Sequence, residues 1–248
     1  MTSDDAIPAA TLIVWRDTIA GPEILVVERS ARMAFAAGAV VFPGGRIDHG
    51  DWEVATSLNR RQEAAKVTAI RETIEETGVA PGLVGELSPS LGLSMQKALH
   101  EGADFAGLLE QNGLQIDLDA LTPFARWMPA FKQPRKFDTL FFLVPAPPGE
   151  WRPLPQEGEC VSAEWAPPAA LIDRITKGEA SAIFPTKRNL ERLAQHYSIS
   201  EALDDARGHP IETIIPWVEE IGGELHVRIP EGRGYPIISE PLATAFRA

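Results

Sequence analysis

Glu72, Glu75 and Glu76 stand at i, i+3 and i+4 within residues 62–77, a stretch of helical composition closed by Gly78. With Glu72 at zero and about 100° per residue, Glu75 falls at about 300° and Glu76 at about 40°, while Val67, Ile70 and Ile74 fall at about 220°, 160° and 200°. One face is therefore core and the opposite face carries three carboxylates. Like charges at this spacing repel by roughly a few tenths of a kcal/mol per pair. A hard divalent ion relieves that repulsion, because Mg²⁺ and Mn²⁺ choose carboxylate and carbonyl oxygens. On spacing alone a solvated acidic face describes the three glutamates better. The context changes the balance: the turn Gly44-Gly45 lies upstream, directly after the apolar run Val40-Val41-Phe42. There a backbone carbonyl can approach the same ion where only glycine leaves room.

The remaining elements are those that must hold this helix in place. Residues 9–15 and 23–28 read as a strand pair around the turn at 17–22, and residues 40–42 as a third strand stopped by Pro43. Residues 95–112 read as helix, 122–129 and 139–144 as strands, and 167–177 and 185–197 as further helices. Pro145, Pro147, Pro148, Pro153 and Pro155 mark a loop between two strands. Residues 213–218 and 224–229, around Gly222-Gly223, read as a terminal hairpin. Residues 8–200 make the main domain and 201–248 a C-terminal extension, packed on the core or at a homodimer contact.

Composition bounds the function. The 248 residues are 44% hydrophobic and 23% charged, values of a soluble globular chain long enough to bury a large core. Lys and Arg number 23 against 35 Asp and Glu, a net charge of −12 that argues against nucleic acid or an anionic membrane as partner. The single cysteine, Cys160, rules out an intramolecular disulfide and suits a reducing compartment. Asp4 and Asp5 stand where a secretory signal carries basic residues, and no apolar run reaches the ~20 residues of a membrane span. The last four residues, 245–248, match no peroxisomal signal. The expectation is a cytoplasmic protein.

The run Arg71-Glu72-Thr73-Ile74-Glu75-Glu76-Thr77-Gly78-Val79, preceded by Gly45 and Glu63, resembles the signature of the Nudix hydrolases. That signature is Gly, five residues, Glu, seven residues, then Arg-Glu-apolar-any-Glu-Glu-any-Gly-apolar. Matched through Glu63, the box at residues 44–79 carries an insertion at about 48–62. The resemblance implies an α/β fold, an α/β/α sandwich with a mixed sheet. It further implies Glu72 and Glu76 as principal ligands of Mg²⁺ or Mn²⁺, with Glu75 a third and the Gly44 carbonyl completing the shell. By the same resemblance Arg71 and Glu63 pair to brace the motif. The attacked group is then a diphosphate, whose charge an acidic pocket accepts only through a metal that also activates water. Glu159 is the first candidate for general base and Glu157 the second; each reads equally well as an exposed loop carboxylate.

The stretch Glu28-Arg29-Ser30-Ala31-Arg32-Met33 ahead of Phe42-Pro43-Gly44-Gly45 resembles the element that precedes the box in coenzyme A diphosphatases. With Asp51-Trp52, Arg126-Trp127, 134–139 and Phe184-Pro185-Thr186, most of the chain is similar to the peroxisomal coenzyme A diphosphatase subgroup of that family. The implied reaction splits coenzyme A or acyl-CoA into 3′,5′-ADP and a 4′-phosphopantetheine product. Its 3′-phosphate calls for cations, and Arg29, Arg32, Arg46 and Arg135 are the candidates, Arg135 foremost, with Arg126, Lys132 and Lys136 nearby in sequence. A Nudix enzyme for ADP-ribose, NADH or a nucleotide sugar shares the same catalytic helix. An inactive Nudix ligand sensor is the third reading, and no carboxylate of the box is lost to favour it.

Overall fold

The computed structural model describes residues 6–32, 36–129 and 136–245. Its first two strands, β1 (Ile7–Thr18) and β2 (Gly21–Arg29), form an antiparallel hairpin at the expected turn. β1 is apolar on both faces: Ala10, Leu12 and Val14 enter one core, Ile13 and Trp15 the other. A strand buried on both sides reads as an almost continuous apolar run, which is how residues 9–15 read in the sequence. β3 (Val40–Val41) pairs with β2, and β4 (Gly44–Arg46) pairs with β1. Then come α1 (His49–Ser57), a 3-10 turn at Arg61–Glu63 and α2 (Ala64–Thr77), the helix of the three glutamates. Gly78 stops α2 in the left-handed conformation, φ 69°, where a side chain is strained.

β5 (Leu83–Val84) leads to α3 (Pro89–His100) and α4 (Phe105–Gln111), and β6 (Gln115–Ile116) returns to β5. The continuous helix expected over 95–112 is thus two helices, broken around Gly102 (φ 86°). Each starts on its own cap: Ser88 accepts the Leu91 N–H and Asp104 the Gly107 N–H. β7 (Thr122–Trp127), β8 (Phe137–Pro145) and β9 (Cys160–Ala166) complete the centre of the main sheet. α5 (Pro168–Thr176), α6 (Phe184–Leu193) and α7 (Ile199–Gly208) cover its second face, and β10 (Thr213–Ile214) adds an outer strand.

Among the described residues eight strands make the main sheet, in the order β10-β7-β8-β1-β2-β3, with β4 also on β1 and β9 also on β2. β1 runs parallel to β8, and β7 to β10, while the other pairs are antiparallel, so the sheet is mixed. Val54 of α1, Val67, Ile70 and Ile74 of α2, Met95 of α3 and Phe105 of α4 fill the core on one face. Leu171 of α5, Phe184 and Leu190 of α6 and Ala202 of α7 fill the core on the other. The architecture is the α/β/α sandwich that the resemblance implied.

The hairpin around Gly222-Gly223 is β11 (Trp217–Ile221) and β12 (Glu224–Arg228), extended by β13 (Ser239–Pro241) before the short α8 (Leu242–Ala245). Polar residues of α6 fasten this segment. Tyr235 accepts the Trp127 indole N–H at 3.1 Å and donates to Asn189 Oδ1 at 2.8 Å. Arg188 reaches Glu191 at 2.7 Å and Glu240 at 2.9 Å. Among the described residues no helix is long and apolar enough to cross a membrane.

Candidate active site

β4 lies between β1 and α2, with Gly44 opposite Thr11 and Gly45 opposite Ala10. Both glycines are there for space. A Cβ on Gly44 would overlap the Ala10 carbonyl, and one on Gly45 would overlap the Glu72 carboxylate. A glycine at 45 therefore lets the helix set its acid directly on the strand.

Glu76 is buried and accepts the Gly44 N–H through Oε2 at 3.1 Å; Arg29 Nη1 stands 3.8 Å from Oε1. Burial, then the neighbouring Glu72 charge, push its pKa well above the usual carboxylate range, against the pull of Arg29 and the Gly44 amide. Burial likewise raises Glu72 to about 7, against the pull of Arg71, whose Nη1 lies 2.9 Å from Glu72 Oε1. The same Nη1 donates to Glu75 Oε2 at 3.1 Å. Arg71 thus pairs with both Glu72 and Glu75, and the expected triad separates into two half-buried acids on that guanidinium and a buried Glu76 facing Gly44 and Arg29. Among the described residues no three His, Cys, Asp or Glu are gathered as ligands. Glu72 and Glu76 fit a hard cation by their donor chemistry: carboxylate oxygens whose charged form burial disfavours, beside the Gly44-Gly45 turn.

The brace of Arg71 is not Glu63. Arg71 Nε meets Asp51 Oδ1 at 2.8 Å and Nη2 meets Oδ2 at 2.9 Å, a bidentate pair with a carboxylate 1% exposed. Asp51 also accepts the Thr68 hydroxyl at 2.8 Å and the Asp48 N–H at 3.0 Å. Burial opposes the charge of Arg71, but Asp51, Glu72 and Glu75 outweigh it and hold its pKa above the ordinary value. Glu63, just ahead of α2, pairs with Arg60 and, at 2.8 Å, with Lys66. Those partners lower its pKa against the opposing effect of burial. Eight helical residues at ~1.5 Å put Glu63 about 12 Å along the axis from Arg71, out of side-chain reach. Asp51, by contrast, follows Gly45 after five residues, the family spacing with Asp in place of Glu. The insertion consequently lies within residues 52–70, between Asp51 and Arg71, and it forms the end of α1, the 3-10 turn and the start of α2.

The expected substrate cations divide. Arg29 comes to the carboxylates, and its Nε is buried without a hydrogen-bond partner among the described residues. Arg32 is exposed, and Arg46 is exposed and paired with Asp48 at 3.0 Å. Arg126 is committed to Asp138 by two bonds, at 2.8 and 2.6 Å. Lys132 and Arg135 lie outside the described residues. Glu157 and Glu159 are exposed on the loop before β9; Glu159 contributes to the raised pKa of Glu76, and its carbonyl accepts the Ser30 N–H at 2.7 Å. Cys160, opposite Arg29, is buried and its thiol is pushed up to about 12 by burial and by Glu76.

No family model matches the chain. It is 31% identical to the crystallised NUDIX hydrolase from Alicyclobacillus acidocaldarius over 81% of this chain and 96% of that one, with a TM-score of 0.69. It is 23% identical to acyl-coenzyme A diphosphatase NUDT19 of Homo sapiens, over 80% of this chain and 67% of the relative. To the Gallus gallus protein of the same name it is 24% identical, over 79% of this chain and 67% of that one. The chain thus spans about two thirds of the length of these two relatives.

Proposed function

The chain belongs to the Nudix hydrolases, enzymes acting on phosphorus-containing anhydrides, and from that premise we propose that it hydrolyses the diphosphate of coenzyme A or an acyl-CoA. The products are 3′,5′-ADP and (acyl-)4′-phosphopantetheine. The observation that carries the chemistry is the placing of Glu72 and Glu76 together against Gly44-Gly45, where burial raises the pKa of both carboxylates. The likeness to acyl-coenzyme A diphosphatases over most of the chain supports the substrate.

Glu72 and Glu76 are the metal ligands in this reading, with Glu75 and the Gly44 carbonyl as further donors. A bound Mg²⁺ or Mn²⁺ supplies the positive charge that neutralises the diphosphate and polarises the attacked phosphorus. Arg71, fixed by Asp51, orients Glu72 and Glu75 on their helix. Arg29 binds a phosphate oxygen through the N–H that now lacks a partner. Glu159 takes the proton from the attacking water, with Glu157 the second candidate for that role. Arg32, Arg46 and Arg135 are the outer candidates for the 3′-phosphate.

The test is direct. Purified protein is incubated with Mg²⁺ or Mn²⁺ and, separately, coenzyme A, an acyl-CoA, ADP-ribose and NADH, and the products are resolved. The expected result is 3′,5′-ADP from the first two substrates. Turnover of ADP-ribose with none of coenzyme A would overturn the substrate assignment.

A further inference from the structure

A helix leaves its last four carbonyls without partners of its own, and those of α2 are all satisfied. Ile74 O accepts from Gly78 N at 2.8 Å, which is the left-handed stop of the helix. The other three take partners from distant chain: Glu75 O from Gln96 Nε2 at 3.2 Å, Glu76 O from Gln156 N at 3.1 Å, and Thr77 O from Leu154 N at 2.9 Å. Gln96 Nε2 also donates to Leu154 O at 2.8 Å. One buried amide group thus joins the catalytic helix to the proline-rich loop.

Gly92 is what lets α3 bring Gln96 this close. A Cβ on Gly92 would overlap the Gly78 carbonyl and crowd the Trp151 ring. From the loop side, Gln156 Nε2 meets His100 Nδ1 at 2.9 Å, a second link to α3. The loop then runs on to Glu159, whose backbone carbonyl is held by Ser30 N beside Arg29.

We propose that Gln96 is a positioning residue: its amide fixes the loop of residues 147–159, and with it Glu159, against the last turn of the catalytic helix. The inference rests on the hydrolase reading and on Glu159 as its base. Gln96 touches neither metal ligand side chains nor substrate. It acts through the loop, where a displacement near 1 Å is enough to cost about a hundredfold in rate.

The test combines exchange and kinetics on the whole chain. Gln96→Met retains the volume and removes the donor. Hydrogen exchange is expected to show the Leu154 and Gln156 amides losing protection while those of β1 and β8 keep theirs. With coenzyme A, kcat is expected to fall about tenfold or more with KM nearly unchanged, and adding Glu159→Gln is expected to cost little beyond either single change. Leu154→Pro, which deletes the N–H given to Thr77 O from an exposed side chain position, is expected to lower protection at the Gln156 amide and to lower kcat in the same way, and it carries the test through residue 156 alone if Gln96→Met does not fold. Unchanged protection at residues 154 and 156, or losses that multiply in the double variant, would overturn the proposal. A wild-type chain that hydrolyses no diphosphate would instead sink the hydrolase reading, a separate outcome because the exchange measurement does not depend on turnover.

Discussion

Arg71 and Asp51, twenty residues apart, form a bidentate pair, with Nε to Oδ1 at 2.8 Å and Nη2 to Oδ2 at 2.9 Å, and through it α1 is tied to α2, the helix of the three glutamates. Asp51 is buried, and its Oδ2 accepts the Thr68 hydroxyl and the Asp48 N–H as well as Arg71 Nη2. The pair is therefore both a buried ion pair and the positioning device of Glu72 and Glu75.

Removing one partner of a buried ion pair leaves the other uncompensated and costs about 3–5 kcal/mol. Asp51→Ala should lose stability on that scale in urea denaturation and should lower kcat. Glu63→Ala, whose carboxylate pairs with Lys66 and Arg60 nearer the surface, should cost about 1 kcal/mol or less and leave turnover nearly intact. Greater damage from Glu63→Ala than from Asp51→Ala would refute this account of the brace.

Gly44 and Gly45 should fail differently when replaced by Ala. At 45 the new methyl meets the Glu72 carboxylate, the end of a side chain, so the loss should fall on Mn²⁺ affinity and kcat, measured by titration calorimetry and assay. At 44 it meets the backbone of Ala10 and Thr11, so the loss should fall on the melting temperature. The same pattern of losses in both variants would count against a role for Gly45 in seating Glu72.

The sequence made α2 legible because Val67, Ile70 and Ile74 recur at helical spacing and Gly78 ends the helix, both local signals. It hid α1, a short polar helix whose one clear mark is the reciprocal cap between Asp48 and Asp51. Asp51 sits on that same polar helix, without an apolar pattern to mark it. The family pattern has a glutamate at this place, which Glu63 offers by type, while the spacing of five residues from Gly45 falls on the aspartate Asp51. That Arg71 takes Asp51 is decided by packing of α1 across α2. Gln96 was beyond the reach of any local pattern, since its partners Glu75 and Leu154 lie 21 and 58 residues away. α7 was missed although Ser198 caps it by accepting the Glu201 N–H, a signal the sequence does carry.

Without metal, the folded chain should lose stability as pH rises. A carboxyl whose folded pKa is raised holds a proton that the unfolded chain releases, so folding is favoured below the folded pKa and loses that advantage as pH rises through it. Glu72 at about 7, and Glu191 raised to about 7 by burial, place the loss between about pH 4.5 and 7, and Glu76 extends it upward. Urea denaturation in EDTA should show the decline. Mg²⁺ should offset part of it above pH 7, where the ion no longer competes with protons at Glu72. Stability that rises over this interval in EDTA would contradict the assigned shifts.

The measurement that bears most directly on the central claim is coenzyme A turnover in Mg²⁺ by the wild-type chain and by Glu76→Gln. Glutamine keeps the size of Glu76 and can still accept the Gly44 N–H, and the raised pKa means the fold tolerates a neutral group there. The account predicts that Glu76→Gln folds with a near-native melting temperature, retains no more than about a thousandth of the 3′,5′-ADP release, and loses Mn²⁺ affinity. Substantial hydrolysis by the folded variant would contradict it.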